Sequence, residues 1–206
     1  MATRPERPML DDRVREDLLY RLRWNVLAAL VDIEITIEPS DQTTNVRLFD
    51  HPLADESLAN PPFTRIDEVC ISECLNKVDV RMEECQYKPP PALTIDNEDR
   101  KPTTLGQFVV QTHTYHNLHI EEFKRAKGEL YGKVSMNEDG IWSRTIRDEP
   151  YLPPNIAFFS RRVFLVQIGQ IVHFSTQCFA EGEGFRSTDQ FWTTQLRLAY
   201  SCEHNP

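Results

Sequence analysis

The sequence predicts an α+β fold: a mainly antiparallel sheet packed against one or two central helices over about residues 103–127, joined by long proline-rich loops. Three observations lead there. One segment, Pro102–Gly132, carries an apolar stripe at helical spacing. Several shorter segments alternate apolar and polar residues with a strand's period of two. Between them run stretches in which prolines exclude regular structure.

Residues 1–10 are rich in Pro and Arg and are expected to form a flexible tail. A single globular domain is expected over 11–200, since one domain usually holds about 100–200 residues, and a short flexible tail over 201–206. From Asp11 two readings compete. Asp11 or Asp12 caps a helix running to about Ala29, with Val14, Leu18, Leu22, Val26 and Leu30 along one side. Alternatively, Leu22–Val26 is a strand with Trp24 facing inward. Ile33, Ile35 and Ile37 then alternate with Asp32, Glu34, Thr36 and Glu38, a half-buried strand with an acidic outer face that Pro39 ends.

Residues 39–64 form a long connection in which Pro52, Pro61 and Pro62 exclude sheet or helix over much of its length. Arg65–Ile71 and Lys77–Glu83 read as strands. Residues 84–102, with Pro89, Pro90 and Pro91 and the charged tract Asn97–Lys101, read as a surface loop. The central segment follows. Thr103 and Thr104 offer an N-cap oxygen to the unpaired amides of a first turn. Leu105, Phe108, Val109, Thr112, His116, Ile120 and Phe123 share one face. Asn117, a poor helix-interior residue, leaves one helix or two meeting near it equally open, and Gly128 and Gly132 are natural stops.

Residues 133–160 read as a further irregular stretch, anchored by Trp142 and Tyr151 and turned by Pro150, Pro153 and Pro154. Arg162–Ile168 and Gln170–Phe174 read as strands joined at Gly169, with another turn at Gly182 and Gly184. Gln190–Tyr200 reads as a last strand with Trp192, Thr194, Leu196 and Leu198 facing inward, which makes the C-terminal part an antiparallel meander. Trp24 and Trp192 are the tryptophans expected in the core.

The central segment also holds three of the six histidines. His113, His116 and His119 are spaced by three, which stacks neighbours on a helix, and imidazoles so placed can share a metal. Glu121 and Glu122 are nearby carboxylates. No HExxH pattern is present, and His116 and His119 point towards the apolar stripe. His113 and His116 are the pair of most interest. Cys70, Cys74 and Cys85 have no zinc-site spacing, so no metal or cofactor is expected.

Several segments in order resemble an uncharacterised domain family of mushroom-forming (basidiomycete) fungi. They are the LRWNV segment, HPLADESLANPPFTRIDEVCI, the KVDVRME strand, PTTLGQFVVQTHTYH at the helix entry, RRVFLV, and the closing FAEGEGFRSTDQFWTTQLRL. The resemblance spans most of residues 22–198. Asn25 departs from it, standing where Asp is usual. It implies a small α+β fold ending in a strand with a Trp-x-Leu-x-Leu-like pattern, and it favours the strand at Leu22–Val26. It implies no activity and transfers no functional residue.

The net charge of −9 argues against a nucleic-acid surface, which needs clustered Lys and Arg; the pairs Lys124–Arg125 and Arg161–Arg162 do not offset it. No apolar run reaches the ~20 residues of a membrane span. The N-terminus lacks the apolar core of a secretory signal, and the five cysteines are odd in number and irregularly spaced, so a cytoplasmic or nuclear location is expected. The leading functional expectation is a non-catalytic binding or scaffold domain with a protein partner, its loops offering contact surface. The alternative is a small-molecule or metal-dependent enzyme built on His113, His116 and His119 with Glu121 or Glu122.

Overall fold

Thr104 starts the main helix. Its hydroxyl oxygen accepts from the backbone N–H of Gln107 at 3.2 Å, satisfying one amide that the first turn leaves unpaired. The helix so begun, α3 (Leu105–Leu118), is followed at once by α4 (Ile120–Tyr131). The computed structural model describes residues 13–40, 44–77, 87–97, 99–131, 134–136, 142–144, 156–168, 171–181, 183 and 186–204. The expected N-terminal tail, most of the expected strand at 77–83, and the turns at 132, 169–170, 182 and 184 lie outside these residues, as does the loop segment 145–155.

Two helices rather than one is the outcome the sequence left open. The break falls at His119, whose backbone (φ −111°, ψ 22°) leaves the helical region and whose N–H is shared between the carbonyls of Tyr115 and His116. Asn117 supports the end of α3 by donating to the carbonyls of His113 and Val26. The predicted stripe is the buried one: Leu105, Phe108, Val109, Thr112, His116 and Phe123 are all inside. Gly128 lies within α4 and does not stop it.

Those helices cover one face of a four-stranded sheet ordered β5 (Leu93–Asp96), β4 (Arg65–Ile71), β9 (Ile171–Ala180), β8 (Phe158–Ile168). β4 pairs antiparallel with β5, and β8 with β9. β4 and β9, however, run parallel. The α+β class and the predominance of antiparallel pairs hold. A C-terminal meander does not, because β9 crosses over to a strand about a hundred residues earlier instead of continuing into a third hairpin strand. On the covered face Phe174 meets Phe63 and Phe108 edge-on, both with centroids 5.8 Å apart, and Phe123 meets Phe158 at 4.8 Å. Such offset aromatic pairs add to the free energy of apolar burial.

A three-stranded antiparallel sheet lies at the N-terminal side: β1 (Leu22–Arg23), β2 (Glu34–Thr36) and β3 (Asn45–Arg47). The helix expected to run to Ala29 is confined to α1 (Glu16–Leu19). Beyond it β1 covers Leu22–Arg23 and Asn25 forms an antiparallel bridge with Phe159, flanked by the Ser160 N–H donating to the Trp24 carbonyl and the Val26 N–H donating to that of Phe158, before a turn begins at Val26. The strand reading therefore holds in part, over Leu22–Arg23 and at the Asn25 bridge, and Trp24 between them is fully buried. Ile33 and Ile35 are buried as the alternation requires, but Thr36, expected on the outer face, is buried too, where its hydroxyl donates to Asn45 Oδ1 at 2.7 Å. The proline-rich connection supplies β3 and two 3₁₀ turns, Leu48–Asp50 and Pro52–Asp55. A short ribbon, β6 (Val134–Met136) with β7 (Trp142–Arg144), interrupts the stretch read as irregular.

The expected last strand is a helix, α5 (Thr188–His204). Its buried residues, Phe191, Trp192, Gln195, Leu196 and Ala199, recur at three and four; Leu198, expected inside, is exposed. The start is a capping box. Ser187 Oγ accepts from the Gln190 N–H, and Gln190 Oε1 accepts from the Ser187 N–H. Residues 201–204, expected in a tail, belong to this helix, and Glu203 pairs with the buried Arg21 at 3.2 Å. α5 covers the end of the sheet's second face that carries Phe159 and Phe179, stacking Phe191 on Phe179 at 4.4 Å.

Candidate functional site

The helix histidines are placed by packing. His113, 8% exposed, accepts the indole N–H of Trp24 on Nδ1 at 3.1 Å. An accepting nitrogen carries no proton, and burial lowers the basicity of the ring, so His113 is held neutral. His116 is 1% exposed, and its Nε2 lies 2.8 Å from Thr176 Oγ1. The single proton of that hydroxyl goes to the Cys70 carbonyl at 3.0 Å. His116 must therefore donate from Nε2, leaving Nδ1 as a bare lone pair in the core, unpartnered among the described residues. Burial first, then the neighbouring His113 and His119, pushes its pKa down to about 3.

His119 is half-buried with its ring edge against Tyr115, centroids 5.0 Å apart. Glu121 is exposed and paired with Lys124 at 3.3 Å. Glu122 turns towards Arg125 and the Tyr87 hydroxyl. The residues predicted as a site thus do not converge. Two rings are spent inside the core, and among the described residues none of the five belongs to a group able to hold a metal.

A cluster that the sequence reading missed lies further along α4. Lys127 is 0% exposed. Its ammonium donates to Glu73 Oε1 at 3.2 Å, to Glu183 Oε2 at 2.9 Å and to the Cys178 carbonyl. All three N–H groups are used. Glu73 Oε1 also accepts the backbone N–H of Cys178 at 3.0 Å, whereas Oε2 is buried with no partner among the described residues. Burial raises the Glu73 pKa, and the Lys127 ammonium opposes that rise. The signal was present: extending the stripe His116, Ile120, Phe123 by one helical step reaches Lys127. The cluster ties α4, α2 (Ser72–Leu75) and β9 together from inside.

The open concave surface is elsewhere. A cleft of about 470 Å³ lies where the two 3₁₀ turns meet the first turns of α3, lined by Phe49, Asp50, His51, Asp55, Gln107 and Val110 among others. Its floor depends on Gly106. A Cβ there would come within 3.0 Å of the Ala54 carbonyl oxygen and 3.3 Å of its Cβ, so any other residue would make the second turn give by a few tenths of an ångström. Phe49 is 39% and Val110 36% exposed, and Asp50 and Asp55 are exposed carboxylates beside them. A second cleft of about 460 Å³ runs between α1 and α5, past Arg161 and Arg162. There the cations face Glu183 and Glu16, both at 3.7 Å, so this basic pair is locally offset.

Comparison with known proteins finds no match, whether among family models, curated proteins or solved structures. Among the described residues no helix is long and apolar enough to cross a membrane.

Proposed function

We propose that the chain is a non-catalytic binding domain whose recognition surface is the cleft between the 48–55 turns and the start of α3. The observation that carries the reading is the pairing of exposed apolar side chains, Phe49 and Val110, with the carboxylates of Asp50 and Asp55 around one open concavity. An apolar anchor flanked by fixed charge is the usual composition of a peptide-recognition surface. The partner of fitting chemistry is a protein segment presenting an apolar side chain next to Lys or Arg. The overall charge of −9 favours encounter with such a segment. The histidines support the reading from the other side: His113 Nδ1 and His116 Nε2 are held by Trp24 and Thr176 inside the core, and catalysis through those nitrogens would have to give up those contacts.

The same proposal carries the resemblance to the basidiomycete family, which adds no residue to the site, and a cytoplasmic or nuclear location. The free thiols of Cys70, Cys74, Cys178 and Cys202 support a reducing compartment; recovery of the protein from the secreted fraction would count against it.

The test is fluorescence anisotropy with two short labelled peptides, one with Leu between two Arg, the other with Leu between two Glu. The basic peptide is expected to bind, more weakly as salt is added, and to lose about tenfold in affinity with Phe49→Ser or Asp55→Asn. No binding at about millimolar protein, or equal binding of both peptides, refutes the proposal.

A further inference from the structure

The second face of the main sheet is covered by α5 only at the Phe159–Phe179 end. At the other end three side chains of different chemistry meet. Glu68 and Cys70 are two residues apart on β4 and therefore share a face. The parallel register sets His173 of β9 beside Glu68 and Ser175 beside Cys70. A carboxylate oxygen, the Cys70 thiol sulfur and an imidazole nitrogen all lie within 4.8 Å of one another, and His173 Nδ1 is 2.9 Å from Glu68 Oε2.

From this geometry we infer a site for a divalent transition-metal ion of the zinc class, bound by Glu68, Cys70 and His173. Thiolate, imidazole and carboxylate are the three ligand types that zinc takes, with bonds of about 2.0–2.3 Å, so a closing movement of side chains alone brings the donors onto one ion. A Glu–His ion pair would need only two of them; the thiol makes the set a ligand set. The backbones beneath are already fixed. Val172 donates to Asp67 Oδ2 at 2.8 Å, the Ser72 and Ser175 hydroxyls bond at 2.6 Å, and Thr176 donates to the Cys70 carbonyl. Such surrounding bonds hold ligands in place before the ion arrives. The His173 side chain is 20% and that of Glu68 49% exposed, which opens a path from solvent to the largely buried sulfur. On binding, the thiol releases its proton to solvent, the imidazole binds neutral, and the fourth position is left to water. Because Cys70 and His173 are separated by about a hundred residues, no local spacing could announce the site.

The experiment is titration of the purified, metal-stripped full chain with Co²⁺, followed by displacement with Zn²⁺. The wild-type protein is expected to bind one equivalent with a thiolate-to-cobalt charge-transfer band. Cys70→Ser should abolish the band, and His173→Gln should weaken binding about 100-fold or more, since even groups behind the ligands are worth about 10–100-fold. Glu68→Gln alters an exposed position and His173→Gln a half-buried one, so they decide the matter even if Cys70→Ser does not fold. Absence of a stoichiometric site in the wild type, or a band that survives in Cys70→Ser, or unchanged affinity in both surface variants, overturns the inference.

Discussion

Replacing Lys127 with methionine keeps an unbranched side chain of similar length in the core and removes only the ammonium. The wild-type site holds one buried cation against Glu73, which is fully buried, and Glu183, which keeps some exposure and a second cation, Arg161, at 3.7 Å. Glu183 can therefore rehydrate, whereas Glu73 cannot: its Oε1 would retain only the Cys178 amide, and its Oε2 has no partner among the described residues already. Breaking a buried pair from one side costs about 3–5 kcal/mol, chiefly through the charge left behind. In urea unfolding, with a slope of about 2 kcal/mol per molar, that is a midpoint lower by about 2 M. Glu73→Gln keeps the accepting oxygen and leaves Lys127 its Glu183 partner, but it puts an amide donor where no partner stands among the described residues, so alone it should cost about 1–3 kcal/mol. The double variant should recover about 2 kcal/mol relative to the sum of the singles. The sign of the pH effect follows from the same site. Burial raises the folded-state pKa of Glu73, and Lys127 restrains it. Without Lys127 the folded state takes up a proton more readily than the unfolded one, so the deficit of the Lys127→Met variant should shrink as pH falls towards about 5. A loss under about 1 kcal/mol, strict additivity of the two changes, or a deficit that grows in acid would show that the Lys127–Glu73 pair does not hold the core in this way.

The remaining predictions concern α3 and its cleft. His116, pushed down to about 3 from an ordinary 6.5, contributes stability that is complete above about pH 6.5 and falls by about 1.4 kcal/mol per unit below it, or about 2 kcal/mol by pH 5; His116→Leu should flatten that acid limb in unfolding curves taken across pH. Trp24→Phe removes the donor to His113 and leaves a buried acceptor unpaired, an expected loss of about 1–3 kcal/mol by thermal or urea unfolding. Thr104→Ala removes the cap of α3 and should cost about 1 kcal/mol. Gly106→Ala gains about 1 kcal/mol of helix propensity but makes the 52–55 turn shift by a few tenths of an ångström at Ala54; crystallography or amide shifts should place the change at Ala54 and in the cleft lining, and peptide affinity should fall more than stability does.

What was legible in the sequence was whatever a single segment decides for itself. Thr104, the stripe from Leu105 to Phe123, and the alternation of Ile33 and Ile35 are local signals; the helices stand where they put them, and the strand is shortened to Glu34–Thr36 with Thr36 turned inward. α5 was misread because Phe191-Trp192-Thr193-Thr194-Gln195-Leu196 satisfies a period of two with strand-favouring residues, while Phe191, Gln195 and Ala199 satisfy a period of four. The capping box of Ser187 and Gln190 was the deciding signal. β3 and β5 are short strands lying inside proline-rich stretches, and the parallel pairing of β4 with β9 depends on chain topology, which no window of residues contains. The site followed the same division. The histidines were visible as a spacing, but their role is fixed by Trp24 and Thr176, partners distant in sequence. Lys127 was hidden by its charge, which disguised the next step of an apolar stripe.

The central claim is that α3 binds at its first turns and packs with its histidines. The most direct test is a two-dimensional amide NMR titration with the Arg-Leu-Arg peptide. Shifts are expected only at residues 49–55 and 104–110, with the His113, His116 and His119 signals unmoved. Shifts centred on residues 113–119, with the cleft silent, would contradict the claim.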